Sequence, residues 1–498
     1  MNEPIRIHPA NPKCFEFRGR PVVLVTATEH YGAVMNRPFR FERYLADAAE
    51  RGITLSRLFV LFRELQNAVN PYSTCKPESP DYISPFERTG PGLALDGEPK
   101  YDLDRWNGEF FDRLHRFLSL ASDGGIVVEI VLFSNTYGEG IWALNPLNGR
   151  NNVNGLADIA WPEYMSLRRP ELFARQERHA RRIVEETKRY DNVIYEICNE
   201  PGGLAGPGLP TLEEVNQWQM ALREVVVEAE ADLPHKHLIA GQEAFAYSLP
   251  DESGRSGPDV HQFADRSFDS LGFDVVNMHP LSNMIHRGRH YDLGQFMRGR
   301  LRLDALRQYC LHLYRERKPF NLDEDNAASR YKDVRGWTIH RKRAWTTLLC
   351  GGHYDMIDFS IINYCETGTA DSRRGIRAWM GHLARFVHSM DLVRARPLDA
   401  SVKPPPHTVA SVFGVEGEDY CIYLADAREW DEGTGGETIG GEIAIDLPDG
   451  RFVMSCYSPA TGLYSPAAAL TGKKDLRIAL PDFQDDLVIR FRREVGRT

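Results

Sequence analysis

Up to about residue 395 the chain alternates short β-branched, apolar runs with longer stretches whose apolar positions recur near helical spacing. That βαβα rhythm is the pattern of a parallel sheet wrapped in helices. Eight runs are expected as strands: Pro21–Ala27, Leu55–Phe59, Val127–Phe133, Val193–Cys198, Leu238–Ala240, Val275–Met278, Phe320–Leu322 and Met356–Ile361. Amphipathic stretches such as Phe41–Glu50 and Glu171–Tyr190 fall between them, and eight strand–helix units close a (β/α)₈ barrel. Ahead of the first strand, Phe15–Pro21 reads as a hairpin with Gly19 at its turn, placed to plug the barrel floor.

The rhythm stops near residue 398. Three consecutive prolines, Pro404–Pro406, cannot continue a helix and stiffen the chain as a linker. Beyond them Thr408–Val412, Tyr420–Ala425, Glu442–Leu447, Arg451–Ser458, Leu476–Leu480 and Asp486–Phe491 read as short strands of an antiparallel β-sandwich. The expected organisation is a barrel over residues 1–398 and a sandwich over 399–498. Two long Pro-, Gly- and Asn-rich inserts, Asn67–Lys100 and Tyr137–Pro162, follow the second and third strands and are expected to wall the active-site face.

Composition narrows the function. Apolar residues make up 42% and charged residues 26%, which excludes a disordered or fibrous chain. The net charge is −10 with the basic residues scattered, which argues against nucleic-acid and anionic-membrane partners. The eight cysteines show no C-x-x-C pair and are expected to be mostly buried thiols. The first residues lack a signal-peptide pattern and no run is long enough to span a membrane, so a cytoplasmic location is expected. Phosphate-loop and dinucleotide fingerprints are absent, and no cofactor is expected. His286 and His290, four apart, could share a helix face as metal ligands, but without an H-E-x-x-H pattern no metal is expected. Trp106, Trp337 and Trp345 fall in helical segments and read as packing, whereas Trp142 and Trp161, in loops, are the better sugar platforms.

The segment richest in chemistry is Asn192–Pro201, an apolar run that ends in the polar pair Asn199-Glu200 and a proline. It reads as a barrel strand delivering two side chains at its C-terminal tip, the face where barrel enzymes place catalysis. This stretch resembles the clan A retaining glycoside hydrolases, the cellulase- and mannanase-like barrels whose fourth strand ends in Asn-Glu-Pro. The resemblance implies that Glu200 is the acid/base. It also implies a nucleophile at the seventh-strand tip, where Lys318–Asn326 offers Glu324 between Asp323 and Asp325. Alternation alone leaves open which of these three carboxylates faces the pocket. By the same resemblance Arg57 orients and ionises the nucleophile, Asn199 binds the sugar 2-hydroxyl, and His279 stands at the sixth-strand tip. Glu29, His30 and Tyr31 at the first tip, with Asn135, Tyr137 and Trp142 after the third, are further candidate sugar contacts. The clan's eighth-strand tryptophan is absent. The segments Gly441–Gly450 and Cys456–Gly462 are similar to the small sandwich that follows apiosidase-like barrels.

Glycoside cleavage with retention needs one carboxyl held protonated and one ionised about 5 Å away. Glu200 and Glu324 are expected to fill those roles on an oligosaccharide or other β-glycoside or furanoside, with Arg57 keeping Glu324 ionised and Glu200 in a drier or more anionic setting. Two alternatives share the same features: a carbohydrate-binding pseudoenzyme, and an adhesion or structural protein using the barrel as scaffold. Oligomeric state stays open.

Overall fold

A computed structural model of the chain describes residues 3–63, 79–204, 208–247, 261–263, 271–281, 283–294, 299–430 and 435–494. Eight parallel strands form one sheet: Val25–Thr28, Leu55–Phe59, Val127–Ser134, Val193–Asn199, Leu238–Gly241, Val275–Met278, Phe320–Leu322 and His353–Ile357, called here the first to eighth barrel strands. Each is hydrogen-bonded to its neighbours in chain order from the second to the eighth, and the eighth pairs with the first. The remaining seam, between the first and second, is bridged by Thr54. Its N–H donates to the Val25 carbonyl (3.2 Å) and its hydroxyl accepts from the Val25 N–H (2.9 Å). The protein is a (β/α)₈ barrel followed by an antiparallel β-sandwich.

Most strands fall where the apolar runs predict, and two shift. The first begins at Val25 because Arg20–Val22 pairs antiparallel with Asn11–Phe17, adding a third strand, Arg6–His8, to the expected hairpin. The eighth ends at Ile357 and begins at His353, because buried polar residues, His353 and Asp355, occupy a strand that the apolar pattern alone places later.

Side-chain alternation builds the interior in layers. At the floor, Leu24, Leu55, Val127, Ile194, Leu238 and Val275 meet Ile5, Phe15 and Phe17 of the N-terminal sheet in one apolar cluster. His353 fastens this plug: its Nδ1 accepts from the Leu24 N–H (2.9 Å), its Nε2 donates to the Lys13 carbonyl (3.2 Å), and its ring lies 4.7 Å from that of Phe15. Two residues further along the same strands, the layer above is polar: Arg57, Glu129, Glu196, Asn277, Asp323 and Asp355, all buried.

Above the rim a five-stranded sheet runs from Gly202–Leu204 through Phe245–Tyr247, His261–Phe263 and Met284–His286 to Arg289–Tyr291. A Cβ at Gly202 would lie 2.0 Å from the Phe245 carbonyl oxygen, so this close pairing requires glycine. His286 and His290 sit on the two strands of a hairpin rather than on one helix face, and His286 Nε2 bonds Glu243 (3.0 Å).

Residues 67–78 of the first insert lie outside the described residues. The rest forms a hairpin, Phe86–Leu93 with Pro99–Trp106, so Trp106 ends a strand instead of lying in a helix, its ring stacked on Phe86 at 5.1 Å. In the second insert Asn145, Asn148, Asn151 and Asn152 donate to backbone carbonyls or accept from N–H groups, closing successive turns.

The sandwich pairs a six-stranded sheet (Arg396–Pro397, Thr408–Val415, Asp419–Asp426, Asp486–Arg493, Gly450–Tyr457, Ala468–Gly472) with a three-stranded one (Val402–Lys403, Ile439–Ile445, Leu476–Phe483). Their shared core holds Ile422, Leu424, Ile443, Ile445, Phe452 and Ile489. Pro404–Pro406 joins two of these strands, so the prolines lie inside the sandwich rather than before it. The outer face of the larger sheet, with Phe413, Tyr423, Tyr457 and Val488, joins the barrel's own core. Helix Val334–Leu349 is therefore buried on every side from Gly336 onward. Cys14, Cys198, Cys310, Cys350, Cys421 and Cys456 are buried free thiols and Cys365 is half-buried; Cys75 lies outside the described residues.

Candidate active site

The C-terminal rim of the barrel gathers the predicted residues around Arg57. This guanidinium is fully buried on the second strand and forks onto four groups: Glu196 (2.7 and 2.8 Å), Asn199 Oδ1 (2.9 Å), Glu324 (2.9 Å) and Asp323 (3.0 Å). Only a planar, multiply donating cation satisfies acceptors in so many directions. Burial opposes its charge, but neighbouring Asp323, Glu196 and Glu324 hold its pKa well above the ordinary arginine value.

The fourth strand ends at Asn199, and Glu200 follows with φ 49°; on the seventh, Glu324 follows Asp323 with φ 52°. Left-handed backbone at a non-glycine residue is uncommon and carries strain that concentrates at functional sites. Here it breaks the in–out alternation. Asp323 points into the polar layer, Glu324 turns to the mouth, and Asp325 faces the outer helices, where Arg343 (2.6 Å) and Tyr354 (2.9 Å) take it. The side chains of Glu200 and Glu324 are 17% and 14% exposed, against 0% for Asp323 and Asp325. Of the three neighbouring carboxylates, Glu324 is the one open to a ligand.

His279, at the sixth-strand tip, links the two sides. Its Nδ1 lies 2.8 Å from Glu200 Oε1 and its Nε2 lies 3.3 Å from Asp323 Oδ2. Burial opposes its protonation, but the hydrogen bonds to Asp323 and Glu200 outweigh it and hold the imidazolium well above the usual histidine range. Burial raises Glu200, yet the hydrogen bond and charge of His279, helped by Tyr137 and Arg57, bring it below its ordinary value. Burial raises Glu324, and Glu200 and Asp323 add to the rise against His279 and Arg57, so it ends above its ordinary value. Both directions run opposite to the expectation that Glu200 sits in the drier, more anionic setting and that Arg57 decides the state of Glu324.

Other predicted residues divide. Asn199 is fully engaged: Oδ1 accepts from Arg57, and Nδ2 donates to Ser134 Oγ (3.1 Å) and the Tyr137 hydroxyl (2.8 Å). Tyr137, φ 55° and 40% exposed, offers a ring face beside Glu200. Tyr31 is buried beneath Arg57 and donates to Asp355 (3.1 Å). His30 stacks on Phe359 (5.4 Å) at the eighth-strand tip, the place where the clan's tryptophan is missing.

Three further candidates are buried and bonded within the protein. Glu29 is buried and accepts the N–H groups of Gly32 and Ala33, closing the first-strand turn. Asn135 is buried and donates to the carbonyls of Glu200 and Gly202, fixing the loop rather than a ligand. Trp142 is 1% exposed, its Nε1 donating to the Ile159 carbonyl, because the insert folds back over it.

Sequence reasoning missed Glu129, Glu196 and Asp355 as parts of the site, although each is an acid within a largely apolar strand. It also missed the aromatic arc Tyr31–Phe59–Phe62–Tyr137, whose rings follow at 4.9, 5.4 and 6.1 Å along the rim.

Comparison with known proteins places the fold. A domain of unknown function, DUF6298, matches residues 75–169, less than half of the chain. No curated protein matches. Among solved structures the chain is similar to a Bacteroides vulgatus protein provisionally assigned to the glycoside hydrolases (13% identity, TM-score 0.61, covering 99% of this chain and 82% of that one). It is also similar to a glycoside hydrolase family 5 protein from Bacteroides vulgatus (11%, TM-score 0.57, 98% and 93%) and to a further glycoside hydrolase (10%, TM-score 0.57, 99% and 97%). At these identities the likeness is one of fold.

Proposed function

We propose that this chain is a retaining glycoside hydrolase acting on a β-glycoside or a similarly configured furanoside. The observation that carries the reading is the pair Glu200 and Glu324. They stand at the tips of the fourth and seventh strands, both in left-handed backbone and both partly open among fully buried acids. Glu324 attacks the anomeric carbon while Glu200 protonates the departing oxygen. Glu200 then takes a proton from water, whose oxygen displaces Glu324. Tyr137 and half-buried Phe62 supply accessible ring faces for the sugar.

A second reading exchanges the roles, with Glu324 as acid and Glu200 as nucleophile, because burial raises Glu324 and His279 lowers Glu200 from their ordinary values. Hydrolysis of aryl β-glycosides and furanosides by wild type, Glu200→Ala and Glu324→Ala, with and without azide, separates the two. Each variant is expected to lose roughly 10²–10⁴-fold in kcat. An α-azide product from Glu324→Ala and a β-azide from Glu200→Ala on a β-glycoside support the first reading, and the opposite anomers support the second. Wild-type inactivity across the panel, with saturable sugar binding, returns the carbohydrate-binding alternative.

A further inference from the structure

Six carboxyl groups lie within the site: Glu129, Glu196, Glu200, Asp323, Glu324 and Asp355. They face two cations, Arg57 and the imidazolium of His279. Fully ionised, six acids against two cations would leave a net charge of −4 in a largely buried cluster, which a protein avoids by protonating acids.

Two of these acids differ in the donors they receive. Asp323 Oδ2 receives both Arg57 (3.0 Å) and His279 Nε2 (3.3 Å), so Asp323 is the ionised member of its surroundings. Asp355, on the adjacent eighth strand, has only a neutral donor, the Tyr31 hydroxyl, on its Oδ2 (3.1 Å). The other oxygen of each, Asp323 Oδ1 and Asp355 Oδ1, is buried without a donor. Around Asp355 stand Tyr31 from the first-strand tip, Arg57 from the second strand, and Asp323 and Glu324 from the seventh, while the charges of Glu129 and Glu196 act on Asp323. The strand register sets Asp323 beside Asp355, within hydrogen-bonding reach of each other, and two neighbouring acceptors with no donor between them are satisfied at once by a single proton.

We propose that Asp355 is a positioning residue held as a neutral carboxylic acid, its Oδ1–H donating to Asp323 Oδ1. Asp323 thereby keeps one charge and one orientation, Oδ2 toward Arg57 and His279. His279 in turn presents Nδ1 to Glu200. The series Tyr31–Asp355–Asp323–His279–Glu200 ties the floor of the rim to the acid/base. Its catalytic consequence rests on the glycosidase reading, whereas the proton on Asp355 does not.

Isotope-edited infrared spectroscopy with ¹³C-aspartate tests the proton directly. At neutral pH the wild-type chain is expected to show a protonated aspartic-acid carbonyl band that disappears in Asp355→Asn. A wild type with every aspartate ionised, or a band that persists in Asp355→Asn, overturns the proposal. Glutamate acids are silent in this measurement, and the outcome is independent of whether any glycoside is cleaved. On an active substrate, Asp355→Asn, which retains a donor toward Asp323, should keep a kcat roughly 10²-fold above that of Asp355→Val, the scale expected when a reacting group is misplaced. Equal losses in the two variants would remove the positioning role.

Discussion

At the scale of single residues, His279 controls the charge balance of the rim. It is buried, yet Asp323 and Glu200 hold its folded value well above that of a free histidine. The unfolded chain releases this proton near pH 6.5 while the folded chain keeps it. The linked stabilisation is therefore complete below about pH 6.5 and is lost as the pH climbs through the folded value. His279→Gln should abolish that alkaline decline while keeping groups that hydrogen-bond. Urea unfolding from about pH 6 to about pH 9 reads it: the wild-type free energy should fall with pH more steeply than the variant's, and parallel curves would mean that His279 is neutral. Arg57 shows how far such a residue is legible. A lone arginine in Leu-Ser-Arg-Leu-Phe announces a buried charge, but its contacts with four partners depend on strands far apart in sequence. The choice of Glu324 over Asp323 and Asp325 came from the family resemblance and was not legible in the alternation, because it follows from a backbone inversion at residue 324 that breaks the period of two.

At the scale of elements, the second, sixth and seventh strands were readable to the residue, each a short, largely apolar run set off from the helical stretches around it. The eighth was misplaced because His353 and Asp355 interrupt its apolar pattern, and those same residues perform its functions. His353 fastens the N-terminal sheet as a neutral ring, and burial presses its folded value down to about 3. The unfolded chain takes up this proton below about pH 6.5 and the folded chain refuses it until near 3, so stability is lost as the pH falls through that window. At its steepest the loss is about 1.4 kcal/mol per pH unit. His353→Gln, which can still accept from Leu24 and donate to Lys13, should flatten the acid slope by up to one proton. Because His179 (about 3) and His340 (about 4) act in the same sense, the slope is expected to shrink rather than vanish. An unchanged slope in urea titrations between about pH 4 and about pH 7 would show that the floor plug does not depend on a neutral His353.

At the scale of the whole molecule, the sandwich completes the barrel's core. From Gly336 onward helix Val334–Leu349 is buried all round: Trp345 stacks on Tyr423 (5.4 Å), while Arg341 lies over Trp379 (4.2 Å) and forks onto Asp486 with both bonds at 2.8 Å. Tyr423 also donates to Asp486 (3.0 Å), so one carboxylate joins barrel helix, sandwich strand and aromatic stack. Both charged side chains are almost completely buried, 3% and 1% exposed. Removing one partner of such a pair leaves the other unpaired, at about 3–5 kcal/mol, whereas replacing both with apolar groups of similar size is near neutral. Asp486→Ala should therefore unfold barrel and sandwich together at lower denaturant, and Arg341→Met with Asp486→Leu should recover most of the loss. If the single variant instead produced two separate transitions, with the barrel's midpoint unmoved, the sandwich would be an independent appendage. A single cooperative shift would mean that the rigidity of the seventh- and eighth-strand tips, and so the placement of Glu324 and Asp355, draws on contacts made by the last hundred or so residues of the chain.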